Sequence, residues 1–161
     1  MISAVEILQL APKHLIGKPL AMSFVENKTA ELWQSFMPRR HEIENRISTD
    51  CISLQKYPGG HPPVQNPSQT FTKWALVEVG KNTPPPSGME KYYLPGGLYG
   101  KFHYQGPASG FPQVMQTIFA EWLPQSNYVL DDREHFEILP EGYNPMSETA
   151  EETICIPLVS L

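Results

Sequence analysis

The feature that most restricts what this chain can fold into is a faint self-similarity between its two halves. Leu15-Ile16-Gly17-Lys18 is echoed by Leu98-Tyr99-Gly100-Lys101, and Phe36-Met37-Pro38 by Trp122-Leu123-Pro124. Ile52 to Pro58 parallels Phe136 to Pro140, and Trp74 to Gly80 parallels Glu152 to Leu158. The shared order of these four matches carries the argument, since any one of them alone would mean little. Each half reads as strand, helix, strand, strand. The expectation is one domain over 1–161, with repeat one at about 1–80 and repeat two at about 90–161.

Proline marks the boundaries. The chain holds 17 prolines in 161 residues, about twice the average share. Seven fall between Pro58 and Pro86, in YPGGHPPVQNPSQ and KNTPPPSG. Both stretches read as exposed loops, because proline lacks the backbone donor that a central strand needs. Between them FTKWALVEVG (71–80) is rich in aromatic and β-branched residues and reads as a strand.

The clearest helix runs from about Ser109 to Trp122. Phe111, Val114, Met115, Ile118, Phe119, Trp122 and Leu123 form one apolar stripe at helical period. Ser109 suits an N-cap, and Pro124 is expected to stop the helix. A second helix starts near Lys28 and carries Leu32, Trp33, Phe36 and Met37. Pro38 ends or kinks it, with Ile43 and Ile47 suggesting that helical structure resumes. The expected fold class is α+β: duplicated strand–helix–strand–strand units forming one antiparallel sheet, two long helices on one face, and a ligand pocket between the repeats.

Composition excludes some functions. A net charge of −5 argues against a nucleic-acid footprint. No apolar run of about 18 residues exists to cross a membrane. The N-terminal residues do not read as a secretory signal, so a cytoplasmic location is expected. Cys51 and Cys155 lie in apolar stretches without a CxxC spacing and read as buried reduced thiols. The five histidines show no HxH or HExxH spacing, so neither metal nor cofactor is expected.

Strand parity supplies candidate site residues. In HFEILP (135–140), Phe136 and Ile138 share one side and suit packing under a helix. That leaves Glu137 on the opposite face with His135 and Leu139. In WALVEV, Trp74, Leu76 and Glu78 oppose Ala75, Val77 and Val79. Each half thus offers a carboxylate beside apolar or aromatic groups. From spacing alone, both glutamates also read as ordinary solvated residues. In GGLYGKFHYQG, Tyr99, Lys101 and His103 alternate with Leu98, Phe102 and Tyr104. A carboxylate at the base of an aromatic-walled concavity favours a cationic or flat aromatic ligand. Such a cation relieves the cost of a buried charge, and each aromatic face adds about 0.5–2 kcal/mol. Trp33 is a further candidate for the wall.

Four stretches resemble the GyrI-like small-molecule-binding domain, met also as the effector-binding domain of AraC- and MerR-type multidrug regulators. They are FTKWALVEVG, MEKYYLPGGLYGKFHYQG, the segment ending IFAEWLPQSNYVLDDREHFEIL, and EETICIPL. The likeness covers Val5 to Leu158 and is densest from Phe71 onward. It implies a pair of strand–helix–strand–strand repeats around a pocket. In the family a glutamate on the strand after the second long helix neutralises cationic aromatic ligands. Glu137 holds that position, Leu139 would share the wall, and Phe111 matches a lining region. The implied function is a stand-alone binding protein that senses or sequesters cationic or amphipathic aromatic molecules. The length leaves no room for a DNA-binding domain, so direct nucleic-acid binding is not expected. Two alternatives follow from the same resemblance. One is a hydrolase of electrophilic compounds with Glu137 as base and Tyr99 or Tyr93 as partner. The other is a gyrase-inhibitor-like module with a protein partner.

Overall fold

The computed structural model describes residues 2–161; Met1, the first residue of the expected domain, lies outside the described residues. The chain opens with β1 (Ile2–Leu10) and β2 (Lys13–Met22), then α1 (Thr29–Phe36) and a 3-10 stretch (Met37–Glu42). β3 (Cys51–Lys56) and β4 (Phe71–Val79) follow. The second half runs through β5 (Glu90–Leu94) and β6 (Gly97–Gln105), then α2 (Phe111–Gln116), which continues through a π-helical stretch (Thr117–Trp122) and a last turn (Leu123–Gln125). β7 (Tyr128–Leu130), β8 (His135–Leu139) and β9 (Glu151–Ser160) complete it.

These strands form one antiparallel sheet in the order β1-β6-β9-β8-β3-β4-β2-β5, with β7 added along β9. The order is symmetric about the β3–β8 seam. β4 beside β3 mirrors β9 beside β8, and β2 mirrors β6. These are the segments whose sequences echo one another. Each half carries an unexpected edge strand, β1 or β5, that pairs with the other half, β1 with β6 and β5 with β2, and the second half adds β7 along β9 as well.

β1 and β2 are joined by two residues yet lie six places apart in the sheet. Six places of a flat sheet span about 29 Å, whereas three Cα steps reach at most about 11 Å. The sheet therefore curls until its edges meet at that corner. The β5–β6 link, Pro95-Gly96, makes the same short crossing, with Gly96 at φ 79° and Gly97 at φ 122°. The curl wraps a core of Leu15, Ile52, Leu54, Leu76, Leu94, Tyr99, Phe136 and Cys155. Arg133 fastens the corner by donating to the carbonyls of Gly96, Leu98 and Leu158.

The other face carries both helices. α1 packs Leu32 and Phe36 over Ile16, Ala75, Val77 and Val79. α2 and its continuation pack the whole expected stripe, Phe111 to Leu123, over Phe102, Ile154 and Ile156. In-register pairs tie the two clusters to one face: Ala75 faces Ser53, Ser53 faces Glu137, and Glu137 faces Ile154.

Local expectations differ at three points. Ser109 lies in a preceding 3-10 turn, and the helix begins after Gly110 without a side-chain cap. Pro124 does not stop the helix, which continues to Gln125. The π-helical stretch before it widens the backbone, where an α-turn would press the proline ring on a carbonyl. Beyond Pro38, the chain makes a 3-10 helix to Glu42, and Ile47 is exposed. Among the described residues, no helix is long and apolar enough to cross a membrane, and Cys51 and Cys155 are free and buried.

Candidate ligand-binding site

Between the two helix-covered clusters runs a polar strip on the four central strands. One row across the sheet is Lys73, Gln55 and His135; the next is Ala75, Ser53, Glu137 and Ile154. Glu152, on β9, belongs to the same face as Ile154 and Ile156. Gln55, His135, Glu137 and Glu152 are all buried. So much buried polarity is unusual on a sheet otherwise packed with aliphatic groups.

Parity was right about which residues share a side of β8 and β4. It was wrong about which side the helices cover. Phe136 belongs to the curled back-face core and Ile138 packs against it, whereas Leu139 packs with the α1 cluster. Glu137 therefore points to the helix side. The error has a physical cause: both faces of this sheet are buried, so an apolar pair does not identify the face under a helix.

The strip is internally bonded. Gln55 Nε2 donates to Glu137 Oε2 at 2.8 Å and to the His135 carbonyl at 3.2 Å. Tyr143 donates to Glu152 Oε2 at 3.0 Å. Lys73 Nζ donates to Thr29 Oγ1 at 3.2 Å, which ties β4 to the start of α1. His135 Nε2 lies 2.8 Å from the Gly60 carbonyl. The ring stands between Tyr57, at 5.1 Å between centroids, and Phe119, at 6.1 Å. Tyr57 also packs edge-on to Phe71.

Burial dominates the electrostatics. It pushes the Glu137 carboxyl up to about 7; Glu152 raises it further, while Lys73 and the Gln55 donor hold it back. Burial also raises Glu152, against the Tyr143 hydrogen bond and Lys73. Lys73 is lowered by burial and supported by both carboxylates. His135 is pushed down to about 4 by burial, so it is neutral at pH 7. The strip thus holds two strained carboxyls facing one half-buried ammonium.

The sequence candidates divide between the faces. Glu137 and Leu139 lie on the helix side. So does Trp33, edge-on to Phe36 at 5.8 Å. Phe111 packs at the start of α2 with the second cluster. Trp74 and Tyr99 belong to the back-face core instead. Glu78, two residues along β4 from Leu76, shares that side and pairs with Lys13 at 3.3 Å. The Tyr99 hydroxyl donates to the Glu134 carbonyl at 2.9 Å, and Tyr93 is exposed beside His14. Neither tyrosine is brought to Glu137.

Sequence reasoning passed over Lys73, Gln55, His135, Tyr57, Tyr143 and Glu152 as members of the site. Two had a usable signal. Lys73 shares its side of β4 with Phe71, Ala75, Val77 and Val79, and Glu152 shares its side of β9 with Ile154, Ile156 and Leu158. A lone charge in an apolar row marks a place where the face stops being ordinary core. Tyr57 and Tyr143 come from loops and carry no such periodicity.

Two surface hollows lie elsewhere. One of about 710 Å³ is lined by Arg40, Glu44, Arg46 and Glu141 among others. Another of about 340 Å³ is lined by His14, Val79, Thr83 and Tyr93 among others. Glu137 lines neither.

Residues 3–159 match the model of a family described as the GyrI-like small molecule binding domain. The transcriptional regulator BrlR of Pseudomonas aeruginosa is 25% identical over 136 residues, covering 80% of this chain and 45% of BrlR. This chain thus spans less than half the length of that relative. Among solved structures, SAV2435 bound to tetraphenylphosphonium is similar with a TM-score of 0.71 at 14% identity, covering 98% of this chain and 94% of that one. The EcmrR C-terminal domain is similar with a TM-score of 0.71 at 11% identity, covering 98% of each chain. At these identities the two structures show a shared fold.

Proposed function

This chain belongs to the GyrI-like small-molecule-binding family, and we propose that it binds cationic or amphipathic aromatic molecules at Glu137, in a sensing or sequestering role. The observation that carries the reading is the buried Glu137 carboxyl, on the strip between the two helix-covered clusters and two residues along β8 from the His135 ring that packs with Tyr57 and Phe119. A permanent organic cation favours the ionised carboxyl that burial disfavours. Tyr57, Phe71 and Phe119 offer ring faces and edges on the same side. Leu139, Trp33 and Phe111 flank the strip on that side, and the ligand would lie between α1 and α2. Trp74, Glu78 and Tyr99, across the sheet, are outside this site. The tetraphenylphosphonium held by SAV2435 is a ligand of the class proposed here.

The test is a fluorescence titration with a rhodamine cation and a displacement titration with tetraphenylphosphonium, on wild type and Glu137→Gln. The substitution keeps the shape and removes the charge. A loss of affinity of about tenfold or more is expected, because removing one partner of a buried ion pair costs about 3–5 kcal/mol. Unchanged affinity in a folded variant would sink the reading.

A further inference from the structure

His135 Nδ1 is the one buried side-chain nitrogen or oxygen without a hydrogen-bond partner among the described residues. The residue is 1% exposed. Its protonation follows from its neighbour. A carbonyl only accepts, so Nε2, 2.8 Å from the Gly60 oxygen, carries the ring proton in the neutral imidazole. Nδ1 then presents a bare lone pair. A buried acceptor left unpaired costs about 1–3 kcal/mol, and an apolar ring would fill the same space without that cost.

The position of this lone pair is informative. His135 and Glu137 are two residues apart on one strand face, about 6.5 Å between their Cα atoms. An ammonium nitrogen donating along two tetrahedral N–H bonds of about 2.8 Å each bridges acceptors about 4.6 Å apart, a gap that side chains on neighbouring same-face positions can close. Gln55 bonds both the Glu137 carboxyl and the His135 backbone carbonyl, which ties the carboxyl to the strand position that carries the imidazole. Ionised Glu137 has acceptors only, and neutral His135 adds one more. Tyr57 and Phe119 flank the imidazole.

We propose that His135 Nδ1 and the Glu137 carboxylate together form a two-point acceptor site for a cation that carries N–H groups. A primary ammonium or amidinium on an aromatic body is the class that fits. The inference rests on the cation-binding reading above and narrows it. Charge attraction at Glu137 serves any organic cation, whereas His135 rewards those with a donor to give. Selectivity between aromatic amines and quaternary cations is therefore set at His135.

The experiment compares 1-naphthylmethylammonium with its trimethylammonium analogue at pH 7.5, by calorimetry, on wild type, His135→Phe and Glu137→Gln. Wild type is expected to favour the primary ammonium by about tenfold, the worth of one hydrogen bond to a charged group. His135→Phe is expected to erase that preference by weakening the primary ammonium alone, leaving the quaternary cation within about twofold. Glu137→Gln is expected to weaken both. No preference in wild type, or a preference that survives His135→Phe, overturns this inference and leaves the cation site standing. Failure of both cations to bind wild type overturns the site and this inference together. Should His135→Phe not fold, nitrogen NMR of the wild-type histidine decides. The Nδ1 resonance should move with the primary ammonium and stay with the quaternary cation; no movement overturns the inference.

Discussion

Gln55 Nε2 donates to Glu137 Oε2 at 2.8 Å across the β3–β8 seam, where the two halves of the sheet meet at its centre. This contact holds a buried carboxyl on the axis of the strand order. It also keeps that carboxyl from rising further toward permanent protonation. The ease with which Glu137 ionises sets what the strip can bind and how folding responds to pH.

The first prediction concerns stability. The Glu137 carboxyl titrates near 7 when folded and near 4.3 when unfolded. Between these values the folded chain holds the extra proton, so stability falls as pH rises. The loss begins above about pH 4.5 and is complete near pH 8, amounting to roughly 3.5 kcal/mol. Urea denaturation at intervals from pH 5 to 8 should show the decline, and Glu137→Gln should flatten most of it.

Cation binding should run the opposite way. A permanent cation prefers ionised Glu137, so its affinity rises with pH up to about 8 and then levels. Dropping from pH 7.5 to 5 should weaken tetraphenylphosphonium by about 75-fold, and binding at pH 6.5 should release most of a proton. Calorimetry in buffers of different ionisation enthalpy measures that proton directly. Affinity independent of pH across this range would mean that another group carries the charge recognition.

Lys73 competes with the ligand for the same carboxylates. Lys73→Met should tighten tetraphenylphosphonium binding at pH 9, where Glu137 is ionised regardless. It should also move the midpoint of the affinity profile to higher pH, because Lys73 is what lowers the Glu137 carboxyl most. A dye-displacement series from pH 5 to 9 resolves the two effects. A midpoint that moves down contradicts the arrangement.

Gly17 gives a purely structural prediction. A Cβ at this position would stand 1.8 Å from the Ala75 carbonyl oxygen on the paired strand, which only separation of β2 from β4 relieves. Gly17→Ala should destabilise by about 3 kcal/mol or more, read as a fall in the urea midpoint. At Gly100, its counterpart in the second half, the nearest atom is the Leu158 side chain at 3.1 Å. Gly100→Ala should cost less, because a methyl can shift and a backbone oxygen cannot.

Much of the fold was legible in the residues. The echo of LIGK in LYGK located β2 and β6. The stripe from Phe111 to Leu123 located the second helix and its buried side, and FTKWALVEVG and HFEIL fall on β4 and β8. These readings succeed because they depend on local period and on proline, which act within a few residues. The edge strands β1 and β5 were missed, since each exists by pairing with the opposite half.

The candidate site was legible in Glu137 and in the flanking Leu139, Trp33 and Phe111, and hidden in the rest. Glu137 was singled out from the residues, yet parity alone gave it the wrong face. Period fixes which side chains alternate, and the chain does that locally. Which side lies under the helices is decided only when the sheet curls, because the curl buries Phe136 and Tyr99 as fully as the helices bury Ile154 and Val77. That closure places Glu137 and His135 on the helix side and Tyr99 across the sheet. It also gathers Gln55, Lys73, Tyr57 and Glu152 from distant segments, which no spacing along the chain encodes.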